Sequence, residues 1–244
     1  MIVLIREVFI GNKKLIKGSA LVCVPVSGEN KKELTLFLDN FNKEDADLVE
    51  WRIDSLKEDL VELYPFIKNK VAPLPLIITY RTKTEGGFGD CDNEAYVNIV
   101  KKAIDIGADA VDVEISREHS FEIVKYAKEK GVKTIVSYHN FKYTDSDEEI
   151  YAKLHKMKES KADVYKMAFM PKTFSDTLRV LEISEKVNRD DFPSLFISMG
   201  DLGKISRIAA NQSGAPFTFA SAFKESAPGQ MDAKLVKSLL NEIK

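Results

Sequence analysis

Cysteine, histidine and tryptophan are scarce in this 244-residue chain, which has two, three and one of them. Cys23 and Cys91 stand in unlike contexts and at no metal-ligand spacing, so they read as reduced thiols rather than a disulfide or a zinc site. No apolar run approaches the roughly 18 residues that cross a bilayer as a helix. The first residues lack the basic, apolar and small-residue succession of a secretory signal, and a cytoplasmic location with no membrane partner is therefore expected. Excess charge of one sign is missing as well. With 36 Lys and Arg against 38 Asp and Glu, the formal net charge of -2 offers nothing to attract nucleic acid. There is no linker and no low-complexity tract. Ser27-Gly28-Glu29-Asn30 lacks the G-x-G-x-x-G spacing, which argues against a doubly wound dinucleotide-binding sheet. What remains is 44% hydrophobic and 30% charged, enough to bury a full core. The chain reads as one domain over residues 1–244 whose partner is a small molecule.

Eight short apolar runs rich in β-branched residues punctuate the sequence: Leu21 to Val26, Leu48 to Ile53, Leu76 to Arg81, Ala110 to Ile115, Lys133 to Tyr138, Asp163 to Ala168, Ser194 to Met199 and Phe217 to Ala220. Their starts lie roughly 20 to 35 residues apart, the length of a strand plus a returning helix, which predicts repeated βα units and a parallel sheet. Asn93 to Gly107 and Glu118 to Gly131 space apolar residues three and four apart and end in glycine, the pattern of a capped helix. Eight such units close into an α/β (β/α)8 barrel. Ahead of them, two apolar stretches around Gly11-Asn12, within Ile2 to Leu15, predict an N-terminal β-hairpin covering the barrel bottom.

Active sites of such barrels are built at the C-terminal strand ends, and this chain loads those ends with polar groups. Lys166 interrupts the apolar stretch Val164-Tyr165-Lys166-Met167-Ala168-Phe169-Met170. An ammonium buried without a partner tends to shed its proton and become an amine able to condense with a carbonyl. The blander reading is a buried stem with its head in water. Strand two ends in Glu50-Trp51-Arg52, where alternation points Glu50 and Arg52 the same way, as ligand contacts or as a mutual ion pair. Strand three leads to Arg81 and a flexible loop, Glu85-Gly86-Gly87; strand five ends at His139; Arg207 follows strand seven; Ser226 and Gln230 lie on a turn after strand eight. A single arginine at a strand end is ordinarily a solvated rim residue, and His119 and His155 read as merely exposed. Convergence of so many groups at one end is what favours a site. An iminium at Lys166 acidifies the neighbouring carbon, and His139 is the one histidine placed to take that proton, with Glu85 to orient it. Arg52, Arg81 and Arg207 offer donor forks for a carboxylate and hydroxyls, so a hydroxylated keto acid is expected. This reasoning reaches a Schiff-base lyase or aldolase and leaves the bond that breaks open.

The motifs Glu50-Trp51-Arg52-Ile53-Asp54, Tyr80-Arg81-Thr82-Lys83-Thr84-Glu85-Gly86-Gly87, Ser137-Tyr138-His139-Asn140-Phe141, Tyr165-Lys166-Met167-Ala168, Ser198-Met199-Gly200 and Ser226-Ala227-Pro228-Gly229-Gln230 together resemble the type I 3-dehydroquinate dehydratases of the shikimate pathway. The resemblance runs in order over nearly the whole chain. It implies a homodimeric barrel, without metal or cofactor, that removes water from 3-dehydroquinate in a syn elimination. By position, it implies Lys166 as the imine former, His139 as the proton-transfer group and Glu85 as its acidic partner. Glu50, Arg52 and Arg81 would hold ring hydroxyls, and Arg207, Ser226 and Gln230 the carboxylate and the closing loop. One departure is visible: Pro25 stands where several relatives have a serine at the end of strand one, with Ser27 nearby. The competing readings are a class I aldolase or transaldolase-like barrel, disfavoured because no clear phosphate-binding glycine cluster follows strands seven and eight, and an inactive barrel serving as a binding subunit.

Overall fold

All eight apolar runs become parallel strands. The computed structural model describes residues 7–190, 193–223 and 226–243, so the part of the hairpin expectation on Ile2 to Arg6 falls outside the described residues. A hairpin of β1 (Val8–Ile10) and β2 (Lys13–Leu15) comes first. The barrel strands are β3 (Leu21–Ser27), β4 (Leu48–Arg52), β5 (Leu76–Thr79), β6 (Ala110–Glu114), β7 (Lys133–Asn140), β8 (Val164–Phe169), β9 (Ser194–Ser198) and β10 (Phe217–Phe219). They lie in the order β10-β3-β4-β5-β6-β7-β8-β9, each hydrogen-bonded to its neighbours in parallel register. Among the described residues no ladder joins β9 to β10.

The connecting helices are α1 (Lys31–Asn40), α2 (Leu60–Val71), α3 (Asn93–Asp105), α4 (Ser120–Glu129), α5 (Asp147–Glu159), α6 (Phe174–Asp190), the short α7 (Gly200–Gly203) and α8 (Ile205–Ile208), and α9 (Ala233–Glu242). Side-chain caps start α1, α2, α3, α5 and α9, such as Asp92 on Ala95 N for α3 and the reciprocal Ser146–Glu149 capping box of α5. Gly107 and Gly131, just past α3 and α4, adopt positive φ as their sequence positions predict. Strands buried on both faces explain the near-continuous apolar runs, and outward-facing Trp51, Val113 and Met167 pack under the helices.

The hairpin sits at the bottom of the barrel. A Cβ on Gly11 would lie 2.9 Å from Pro75 Cβ and 3.2 Å from Asp109 Oδ1, residues that immediately precede β5 and β6. Val8, Ile10 and Leu15 are buried in the main core.

Two strand ends differ from the sequence expectation by two residues, the other six by one. β5 stops at Thr79, so Tyr80 and Arg81 lie beyond the strand, whereas β7 runs on to Asn140 and carries His139 within its ladder to β8. The segment after Arg81 is a compact turn rather than a flexible loop. Gly87 N donates to Thr82 O at 2.9 Å and Gly89 N to Arg81 O at 3.0 Å, folding the chain back onto its own strand end. A Cβ on Gly87 would stand 2.1 Å from Arg81 O, so only glycine permits that approach.

Candidate active site

Period-two alternation turns Glu50, Thr79, Asp112, Ser137 and Lys166 toward the lumen, one row below the mouth. Glu50, Arg52, Arg81, Glu85, His139, Lys166, Arg207, Ser226 and Gln230, the nine residues singled out from the sequence, all line one cavity at the C-terminal strand ends. It contains about 500 Å³ of empty space, part of it open to solvent. Phe141, Met199 and Phe219 give it apolar walls.

Lys166 is 5% exposed, but it is not the partnerless lysine that the apolar stretch suggests. Its Nζ donates to Asp112 Oδ2 at 3.2 Å, lies 3.5 Å from Glu50 Oε1, and sits 4.3 Å from the centroid of the Phe219 ring. The sequence reading missed Asp112 because its carboxylate comes from a different strand, β6. The signal was there: Ala110-Val111-Asp112-Val113-Glu114 places two acids on one face of a buried strand.

Arg81 ties these acids together. Its Nη2 donates to Asp112 Oδ1 at 2.6 Å, while Nη1 reaches Ser137 Oγ at 3.0 Å, Glu114 Oε1 at 3.1 Å and Glu85 Oε2 at 3.4 Å. Burial pushes the Asp112 carboxyl up, but Arg81 and Lys166 outweigh it and hold the group below the usual aspartate value. Glu114 is further held by the backbone N–H and hydroxyl of Thr82.

Glu50 and Arg52 do not pair with each other. Glu50 accepts from Thr79 Oγ1 at 2.9 Å, whereas Arg52 makes a fork onto Asp54 through Nε at 2.7 Å and Nη2 at 2.9 Å. Asp54 also accepts from Phe88 N at 3.0 Å, pinning the turn that carries Glu85.

Glu85 meets His139 twice: Oε2 lies 3.0 Å from Nδ1 and accepts from the His139 backbone N–H at 3.1 Å. Ser116 Oγ donates to the other oxygen at 2.6 Å. Burial raises the Glu85 carboxyl to about 8, Arg81 opposing the rise and Glu114 and Asp112 adding to it. Burial also drives His139 well below its ordinary value, helped by the positive charges of Arg81, Lys166 and Arg52. As pH falls, the proton therefore goes to Glu85 first and the imidazole stays neutral, the form that can accept a proton from carbon. When Glu85 accepts from Nδ1–H, the Nε2 lone pair is left for the ligand.

Arg207 is buried and fastens the far wall, donating to Gly229 O at 2.9 Å, Pro228 O at 3.1 Å and Phe219 O at 3.2 Å. Within the same turn, Ser226 N–H and Oγ bond to Gln230 Oε1 at 2.8 and 3.2 Å. Pro25 and Ser27 are on the rim of a wider neighbouring cavity that shares Arg52, Gly86 and Ser226 with the first. His119 and His155 lie on the surface beside Glu122 and Glu159, and both cysteines are free thiols. Among the described residues no group of three or more His, Cys, Asp or Glu is arranged to hold a metal ion, and no helix is long and apolar enough to cross a membrane.

A family model described as type I 3-dehydroquinase matches residues 22–244. A curated relative from Clostridium novyi, named 3-dehydroquinate dehydratase, is 36% identical over 253 residues, covering 98% of this chain and 96% of the relative. A protein of the same name from the archaeon Methanocaldococcus jannaschii is 37% identical over 222 residues, covering 90% of this chain and 97% of its own. The solved structure of a type I 3-dehydroquinate dehydratase from Clostridium difficile, with covalently modified comenic acid, superposes with a TM-score of 0.92 at 32% identity over 98% of each chain.

The His139 environment sets a measurable expectation. An NMR titration of its ring should give a midpoint below 6.5, and a midpoint at or above that value would contradict the burial argument. Because the unfolded chain binds that proton first, His139 weakens the fold as pH falls through 6.5 and does so less at higher pH.

Proposed function

Because the chain belongs to the type I 3-dehydroquinase family, its reaction is the shikimate-pathway dehydration of 3-dehydroquinate to 3-dehydroshikimate through a lysine Schiff base, and we propose that Lys166 supplies the amine. Attack of Nζ on the C3 ketone gives an iminium that withdraws electrons from C2. His139 removes the C2 proton, and the same imidazole, then charged, assists departure of the C1 hydroxyl as water. It also serves formation and hydrolysis of the imine. Glu85 keeps the ring oriented throughout. Glu50, Arg52 and Arg81 hold the ring hydroxyls. Arg207 meets the carboxylate, with Ser226 and Gln230 closing the turn above it.

The observation that carries this reading is the sharing of one buried cavity by Lys166 Nζ and the His139–Glu85 pair, each already fixed by hydrogen bonds before any ligand arrives. Prior alignment removes orientational freedom that the reaction would otherwise have to lose at the barrier. Neither alternative from the sequence gains from the site. The gathering of an amine, an imidazole and three guanidinium groups around one cavity supports an active barrel over an inactive one, and the family's named reaction is not carbon–carbon cleavage. We further take residues 1–244 to form one cytoplasmic catalytic barrel that pairs as a homodimer.

Borohydride reduction in the presence of 3-dehydroquinate should add a ligand-sized mass to Lys166, located by peptide mapping. Lys166→Ala should lose both the adduct and turnover. Near-normal kcat in that variant would remove Lys166 from the mechanism.

Arg207→Ala removes the carboxylate contact and three bonds that anchor the turn, so KM should rise by roughly tenfold or more, the effect of losing one charged hydrogen bond. Unchanged KM and kcat would overturn the assignment. Light scattering should return twice the 27.5 kDa chain mass, and the single-chain mass would count against the dimer.

A further inference from the structure

Condensation of an ammonium with a ketone conserves charge. The C–N bond forms, the carbon–oxygen double bond breaks, and the oxygen leaves as water with two of the three ammonium protons. One proton and the positive charge stay on nitrogen. Before the reaction, Lys166 has three N–H bonds to offer Asp112 and Glu50; afterwards the planar iminium has one. A single carboxylate can keep it.

The two candidates are not equivalent. Asp112 divides its oxygens: Oδ1 accepts from Arg81 Nη2 and Ser137 Oγ, each at 2.6 Å, and Oδ2 faces Nζ at 3.2 Å. That carboxylate is locked at one end and aimed at the reacting nitrogen with the other. Glu50 is farther from Nζ at 3.5 Å, and the oxygen facing the lysine already accepts from Thr79 at 2.9 Å. Resting on the Schiff-base role given above for Lys166, we infer that Asp112 is the counter-ion of the iminium and accepts its one N–H. This bond fixes rotation about the bond between Lys166 Cε and Nζ, so the C=N plane, and with it the face of the ring offered to His139, is set from the β6 side. The Phe219 ring, 4.3 Å from Nζ, meets the same cation. Glu50, released from the nitrogen, becomes available to a ligand hydroxyl.

The test is single-turnover trapping with 3-dehydroquinate and borohydride at saturating ligand, with kcat and KM measured alongside. Asp112→Asn keeps shape and removes the charge. Its Lys166 adduct should form about tenfold more slowly or worse, in keeping with a lost charge-assisted hydrogen bond. The loss should fall on kcat more than on KM, and Asp112→Glu should restore part of it. A folded Asp112→Asn with wild-type trapping and kcat overturns the inference. Should that variant fail to fold, Ser137→Ala loosens Asp112 without removing a charge, and unchanged trapping there overturns it equally. No Lys166 adduct in the wild type would instead defeat the Schiff-base reading, and this inference with it.

Discussion

Arg81 and Lys166 are packed against four acidic side chains, Asp112, Glu114, Glu85 and Glu50, in the mouth of one barrel, where burial makes the state of each group depend on its neighbours. Arg81 is the centre of that balance, touching Asp112, Glu114 and Glu85, while Lys166 spans Asp112 and Glu50. Removing Arg81 would leave three buried acids without the cation they share, so each group is held in position by the others. The reactive geometry follows from this. Asp112 aims at Lys166 because Arg81 and Ser137 grip its other oxygen, and Glu85 aims at His139 from the turn that Arg81 begins. The groups that would do chemistry stand on a framework of groups that would not.

The barrel supplies what such a framework needs. Ser137 lies level with Glu114 and Thr79 with Arg52, yet each hydroxyl reaches two residues back on the neighbouring strand, to Asp112 and Glu50, so residues far apart in sequence meet at hydrogen-bonding distance. Asp54 extends the framework outward. By gripping Arg52 with both oxygens and the Phe88 amide with one of them, it joins the end of β4 to the turn that holds Glu85.

The eight strands were legible because burial on both faces leaves an apolar run that few other elements share, and Gly107 and Gly131 marked where two helices end. The site residues were legible where a polar group broke such a run at its C-terminal end, as Lys166 and Glu50 do. Partnerships were not. Nothing local to Lys166 announces Asp112, and Glu50 and Arg52, two residues apart on one face, choose different partners because one looks down the lumen and the other along the rim. The compact turn after Arg81 was misjudged for a related reason. Adjacent glycines suggest freedom, yet here they permit the backbone to close on itself at distances no side chain would allow.

Among the described residues the barrel is nearly closed, with no ladder between β9 and β10. At that seam a guanidinium takes the place of sheet hydrogen bonds: Arg207, carried on α8 after β9, clasps the last carbonyl of β10 and two carbonyls of the turn beyond it. A ladder is made of many bonds, whereas this seam is held by one side chain and the bond from Gly200 N to Pro228 O at 3.0 Å. Arg207 thus belongs to the seam as well as to the cavity, so a change at this one side chain touches the barrel wall and the candidate site together.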